Sequence, residues 1–169
     1  MIIVLNGPLG IGKSTLSEEL MERLDASVML DGDQVVAVNP PPANELGYLH
    51  STLALLVKHH LAHGYRYFVI NHIWHTAAEL DALRQALSDL DGDVRCFRLV
   101  LPFDENLKRI RLRQSARAID EQDFEMQTVV EERAVLEGES NAGLGEPFDV
   151  SGTPDELVSA LLIRLGLCA

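Results

Sequence analysis

Cysteine is almost missing from these 169 residues: only Cys96 and Cys168 occur, far apart, so no disulfide framework is suggested. Positive charge is also in deficit, with 14 Lys and Arg against 26 Asp and Glu, a formal net charge of -12. A field of that sign repels nucleic acid and anionic membrane, which points away from both as partners. Long apolar runs are lacking too. The best candidates, residues 53–57 and 157–167, are too short or too interrupted to cross a bilayer. The first strand-like run starts at residue 2, with no basic segment before it and no small-residue cleavage site, so no signal peptide is expected. The 47% apolar content is enough for one buried core. These features together predict a single cytoplasmic domain over residues 1–169, kept reduced, with a small-molecule partner and an assembly state open between monomer and homodimer.

What is present is concentrated near the start. Gly7-Pro8-Leu9-Gly10-Ile11-Gly12-Lys13-Ser14-Thr15 contains the phosphate-loop pattern G-x-x-x-x-G-K-[ST], directly after the apolar run Ile2-Ile3-Val4-Leu5. A polyphosphate must be wrapped by backbone N–H groups, and glycines at 7, 10 and 12 let the chain approach without a Cβ in the way. Lys13 supplies a mobile charge for the β and γ phosphates, Ser14 a hydroxyl for Mg²⁺, and the helix starting near Lys13 turns its positive end toward the anion. Gly7, Leu9, Gly10, Ile11, Gly12, Lys13, Ser14 and Thr15 are therefore the candidate nucleotide-binding set. Leu16, Leu20 and Leu24 follow at helical spacing, which gives the strand, loop, helix context the motif requires.

Further along, residues 28–30 read as a second buried strand ending in Asp31-Gly32-Asp33, and Pro40-Pro41-Pro42 forbids helix. A helix is predicted over about 44–63 with Gly64 as its cap. Strands are predicted at 65–70, 95–101 and 147–150. Helices are predicted after Thr76, after Asp104, over 120–137, and from Thr153-Pro154. Strands alternating with helices imply a doubly wound α/β domain with a parallel sheet covered on both faces. Ligands then sit beyond the C-terminal ends of the strands, where residues 7–14, 31–33 and 71–75 gather.

At that rim Asp31 and Asp33 flank a glycine, a spacing that turns one carboxylate to a metal and the other to an acceptor. Asp33 is assigned as base or orienter of the acceptor hydroxyl and Asp31 as the water-mediated Mg²⁺ partner, and the two roles are exchangeable at this level. Arg109, Arg113 and Arg117 are spaced by four and share one helical stripe. Arg113 and Arg117 are expected in a mobile lid, about residues 113–127, stabilising the transferring phosphoryl group, with Arg109 nearer the hinge or the base. An exposed basic face paired with Asp120, Glu121, Asp123 and Glu125 would give the same pattern. His59 and His63, and His72 and His75, lack a third ligand at zinc-like spacing, so no zinc site is expected. His72 and Trp74 are candidate walls of an acceptor pocket, although Trp74 equally suits the core.

With these features the chain resembles the small phosphate-loop kinases: shikimate, gluconate and adenylylsulfate kinases, chloramphenicol phosphotransferase and, more distantly, adenylate kinase. The resemblance implies a three-layer fold with a five-stranded parallel sheet of order 2-3-1-4-5, ATP with Mg²⁺, and transfer of the γ phosphate to a small acceptor. It places the catalytic set at Lys13, Asp31, Asp33, Arg113 and Arg117, the metal at Ser14 and Asp31, and Arg109 beside the nucleotide. Two departures bear on the substrate. After the third strand this chain has Asn71-His72-Ile73-Trp74-His75, neither the triple glycine of shikimate kinases nor the Asp-Gly-x-Pro-Arg of nucleoside monophosphate kinases, and no Asp at the strand end. No arginine occurs between Arg23 and Arg66, the stretch expected to build most of the acceptor pocket, so a neutral or cationic acceptor is expected. A nucleoside monophosphate kinase, or a nucleotide-gated ATPase with water as its only acceptor, are the competing readings.

Overall fold

In the computed structural model, residues 1–114, 119–138 and 143–167 are described, without the side chains of 113, 114 and 119–122. The chain alternates β1 (Ile2–Asn6), α1 (Lys13–Arg23), β2 (Ser27–Asp31), α2 (Gly32–Val35), α3 (Glu45–Ala62), β3 (Tyr67–His72), α4 (Ala77–Leu87), β4 (Val94–Val100), α5 (Phe103–Gln114), α6 (Ile119–Gly138), β5 (Glu146–Asp149) and α7 (Pro154–Leu165). All strand pairs are parallel, in the order β2-β3-β1-β4-β5. The expected sheet and its order are both present.

The unbroken apolar character of β1 has a simple cause, since its strand is central and covered on both faces. Ile3 and Leu5 point into a core shared with Leu16 and Leu20 of α1 and Val158, Leu161 and Leu165 of α7. Ile2 and Val4 point the other way, into a core shared with Leu49, Leu53 and Val57 of α3 and Leu80, Leu83 and Leu87 of α4. Helix starts follow local chemistry: Asn44 accepts from Gly47 N–H at 2.9 Å, Thr76 from Glu79 N–H at 3.2 Å, and Glu156 from Thr153 N–H at 2.9 Å.

Three boundaries differ from the sequence expectation. β3 runs two residues further than predicted, because Asn71 and His72 pair in register with Leu5 and Asn6 of β1. α5 begins at Phe103 rather than after an Asp104 cap, so Asp104 lies inside the first turn, where its charge suits the helix dipole. Asp31-Gly32-Asp33 is not a plain turn: Asp31 caps a four-residue helix by accepting from Asp33 N–H at 3.0 Å and Gln34 N–H at 3.4 Å. No described helix is long and apolar enough to cross a membrane.

One polar side chain ties the strand ends together. Asn6, fully buried, accepts from Trp74 N–H at 2.9 Å and donates to the carbonyls of Trp74 at 3.1 Å and Leu144 at 3.3 Å. Asn6→Leu would orphan three buried backbone groups, each costing about 1–3 kcal/mol. Urea unfolding of this variant is expected to show a loss of at least about 2 kcal/mol.

Candidate active site

The loop leaves β1 at Gly7 and returns as α1 at Lys13. Gly10 sits at φ +74° with its α-carbon pressed against α5, and a Cβ there would lie 2.4 Å from Ile110 Cγ1, so only glycine fits. Lys13 is curled over the loop, its Nζ donating to the carbonyls of Gly7 at 2.7 Å and Pro8 at 3.1 Å. The loop is braced from outside by Asn106, which donates to Leu9 O at 3.2 Å, and by Arg109, which donates to Ile11 O at 3.0 Å and Val150 O at 2.5 Å. The N–H of Leu9 donates to the Glu132 carboxylate of α6 at 2.5 Å, so that amide already holds an anionic partner.

At the head of α1, Ser14 Oγ donates to Asp31 Oδ2 at 3.4 Å. A hydroxyl and a carboxylate converging at the foot of a phosphate loop are hard oxygen donors, the set that suits Mg²⁺. Asp33 meets His72 Nδ1 at 2.8 Å. The hydrogen bond from His72 holds the Asp33 carboxyl below its ordinary value of 3.8 against the opposing effect of burial, and the charges of His72 and Lys13 act in the same direction. Gly32 makes this contact possible, because a Cβ on it would lie 2.7 Å from His72 Cβ and Cγ. The glycine between the two acids is thus a seat for an imidazole ring. That ring stands edge-on to Trp74 at 5.3 Å between centroids, and Trp74 Nε1 donates to His50 Nε2 at 3.0 Å.

Three hollows surround this framework. A cavity of about 390 Å³, lined by Gly10, Gly12, Thr15, Arg109, Leu112, Val150, Pro154 and neighbours, lies beside the loop between α5 and the start of α7. A smaller one, about 90 Å³, is formed by Leu9, Gly10, Gly12, Lys13, Ser14, Thr15, Asp33 and Asn71. The third, about 200 Å³, is lined by Val36, Glu45, Leu46, Leu49, His72, Ile73, His75 and Glu79. Asp33 borders the second and its partner His72 the third, so the pair forms the partition between them.

The structure therefore brings Lys13, Ser14, Asp31 and Asp33 together, with Arg109 on the neighbouring cavity. Arg117 and the side chain of Arg113 lie outside the described residues, as do residues 115–118 of the expected lid, while its residues 119–127 form the start of α6. Trp74 is fully buried and belongs to the core, while His72 lines the third cavity. The Asp33–His72 pair and the Glu132 contact were not foreseen: each joins residues 39 or 123 positions apart, which no local spacing reveals. Among the described residues no group of three or more His, Cys, Asp or Glu is placed to hold a metal by itself.

A family model described as "AAA domain" matches residues 2–138. The chain belongs to this phosphate-loop family. No curated protein sequence matches it. Among solved structures, the tunicamycin resistance protein of Deinococcus radiodurans is similar over 99% of this chain and 96% of its own, with a TM-score of 0.69 and 20% identity. A gluconokinase from Sinorhizobium meliloti 1021 is similar over 96% and 91%, with a TM-score of 0.64 and 19% identity. Shikimate kinase from Bacteroides thetaiotaomicron is similar over 99% of both chains, with a TM-score of 0.63 and 15% identity. At these identities the shared property is the fold, that of the phosphate-loop small-molecule kinases.

The depressed pKa of Asp33 has a testable sign. A folded-state value below the unfolded one contributes stability above the ordinary carboxylate range, and that contribution is lost as the pH falls through the folded value. Carbon-13 NMR of the side-chain carboxyl should show Asp33 titrating below 3.8. In His72→Ala its midpoint should move upward, and an unchanged midpoint would mean the imidazole is not the cause.

Proposed function

We propose that this protein is an ATP-dependent kinase that transfers the γ phosphate to a hydroxyl of a small, non-anionic acceptor. The observation that carries the reading is the partition just described: a phosphate loop faces an ionised Asp33, and behind it opens a cavity whose lining, among the described residues, has no Lys or Arg. An anionic acceptor would require a cationic grip in that wall, usually a guanidinium. The absence of one favours a nucleoside, sugar derivative or antibiotic over a nucleoside monophosphate.

In this reading the base and ribose occupy the larger cavity beside Arg109, and the triphosphate follows the amides of residues 10–15 toward Lys13. Ser14 and Asp31 would hold Mg²⁺, which would supply neutralising charge for the phosphates. Asp33, kept ionised and aimed by His72, accepts the hydrogen bond of the acceptor hydroxyl. The hydroxyl oxygen then bonds to the γ phosphorus, the bond to the β–γ bridging oxygen breaks, ADP departs, and the proton passes to Asp33. Such transfers have a loose transition state, so positioning the nucleophile matters more than strong basicity. A low carboxyl pKa is compatible with that role. Lys13, Arg113 and Arg117 are assigned to the charge on the transferring group. A cytoplasmic location, where ATP is supplied, fits this reading.

A mass-spectrometric screen with ATP, Mg²⁺ and a panel of nucleosides, sugars, antibiotics and nucleoside monophosphates tests the proposal. Phosphorylation of an uncharged or amine-bearing alcohol is the expected result. Turnover of monophosphates alone would overturn the acceptor class, and ADP release that no acceptor accelerates would overturn the kinase. Lys13→Ala should abolish ATP turnover while the circular dichroism spectrum is kept. Asp33→Asn should retain nucleotide binding and lose transfer by about 10² or more.

A further inference from the structure

β3 ends by sending consecutive side chains to opposite faces of the sheet. Phe68 and Ile70 face α3 and α4, whereas Val69 packs in the core with Leu16 and Leu20 of α1. By the two-residue period of a strand, Asn71 follows Val69 toward the α1 side and His72 follows Ile70 toward α3. Asn71 thus stands beside Leu5 on one side and Asp31 on the other, in the wall of the small cavity formed by Lys13, Ser14 and Asp33.

The carboxamide there is anomalous in its own terms. Asn71 is 2% exposed, yet its Nδ2 has no hydrogen-bond partner. A buried amide donor left without an acceptor costs free energy, and such groups in folded proteins are nearly always paired. The acceptors nearby have other partners: Asp31 takes the hydroxyl of Ser14 and two backbone amides, and Asp33 takes His72. A ligand in this cavity can supply the missing oxygen.

Resting on the proposed function, we infer that Asn71 donates from Nδ2 to an oxygen of the terminal phosphoryl group of the bound nucleotide. A cation does not meet the requirement, because an N–H donor needs a lone pair. A water bound to a cation turns its hydrogens outward and is a poor acceptor, so it fits no better. In the proposed function the α and β phosphates would lie in the cradle of the loop, at the start of α1. Asn71 and Asp33 line the same small cavity as Lys13 and Ser14, so the phosphoryl group next to the acceptor is the one within their reach in that reading. A neutral donor at that point adds to the stabilisation of the equatorial oxygens during transfer.

Isothermal titration calorimetry with ADP and with the non-hydrolysable triphosphate AMP-PNP, both with Mg²⁺, separates the outcomes. Asn71→Leu removes the donor at nearly constant volume, and Asn71→Ala is the second variant if the first does not fold. Either is expected to weaken AMP-PNP about tenfold or more, the range for a hydrogen bond to a charged group, while leaving ADP within about twofold. Equal losses for both nucleotides, or no loss for either, overturn the assignment of Asn71. Failure of the unaltered protein to bind either nucleotide overturns the proposed function instead.

Discussion

Three carbonyl and amide groups converge on the side chain of Asn6, and the geometry of the whole rim depends on that convergence. Asn6 is the last residue of β1, where the chain must leave the sheet and release its amides from the ladder into the phosphate loop. A backbone departing from regular structure in the middle of a sheet needs a replacement anchor. By holding Trp74 and Leu144 at once, Asn6 fixes the root of the loop to the segment after β3 and the segment before β5. The apolar cores on either face then hold β1 itself rigid. The loop is correspondingly braced from both ends, with Arg109 linking it to the exit of β5 and Asn106 linking it to α5.

From that anchor the rim divides into two sides with different chemistry. One side has the features of a nucleotide site: a basic residue, two hydroxyls, an acid and an unsatisfied amide around a small hollow. The other is lined by aliphatic, imidazole and carboxylate groups, with no guanidinium or ammonium among the described residues. The Asp33–His72 pair lies between them, and its position is fixed by steric necessity at Gly32 as much as by the hydrogen bond.

Much of this organisation is legible in the chain. The phosphate loop has a strict spacing because all of its chemistry is local, and β1 shows its burial on both faces through continuous apolarity. The order of helices and strands followed from period and punctuation, and with it the parallel sheet and the rim on which Asp31 and Asp33 fall. What stayed hidden is non-local or depends on register. Asp31-Gly32-Asp33 reads equally well as a turn, and only the arrival of His72 from β3 explains its glycine. Placing the end of β3 at residue 70 left Asn71 and His72 in a loop, where opposite facing cannot be deduced. Residue 72 is still strand, paired with Asn6, and that register decides which side each of them serves. Trp74 suited pocket and core alike, and burial by neighbours distant in sequence decided for the core.

Trp74 is the single tryptophan of the chain and sits fully buried between two imidazoles, one at the partition and one held by its indole nitrogen. Its emission therefore comes from one place, within van der Waals range of the site, with no background from other indoles. Because a nearby imidazole quenches an indole according to its distance and protonation, the protein carries a built-in optical probe of the junction between its two hollows. Filling of the acceptor side becomes observable without any label.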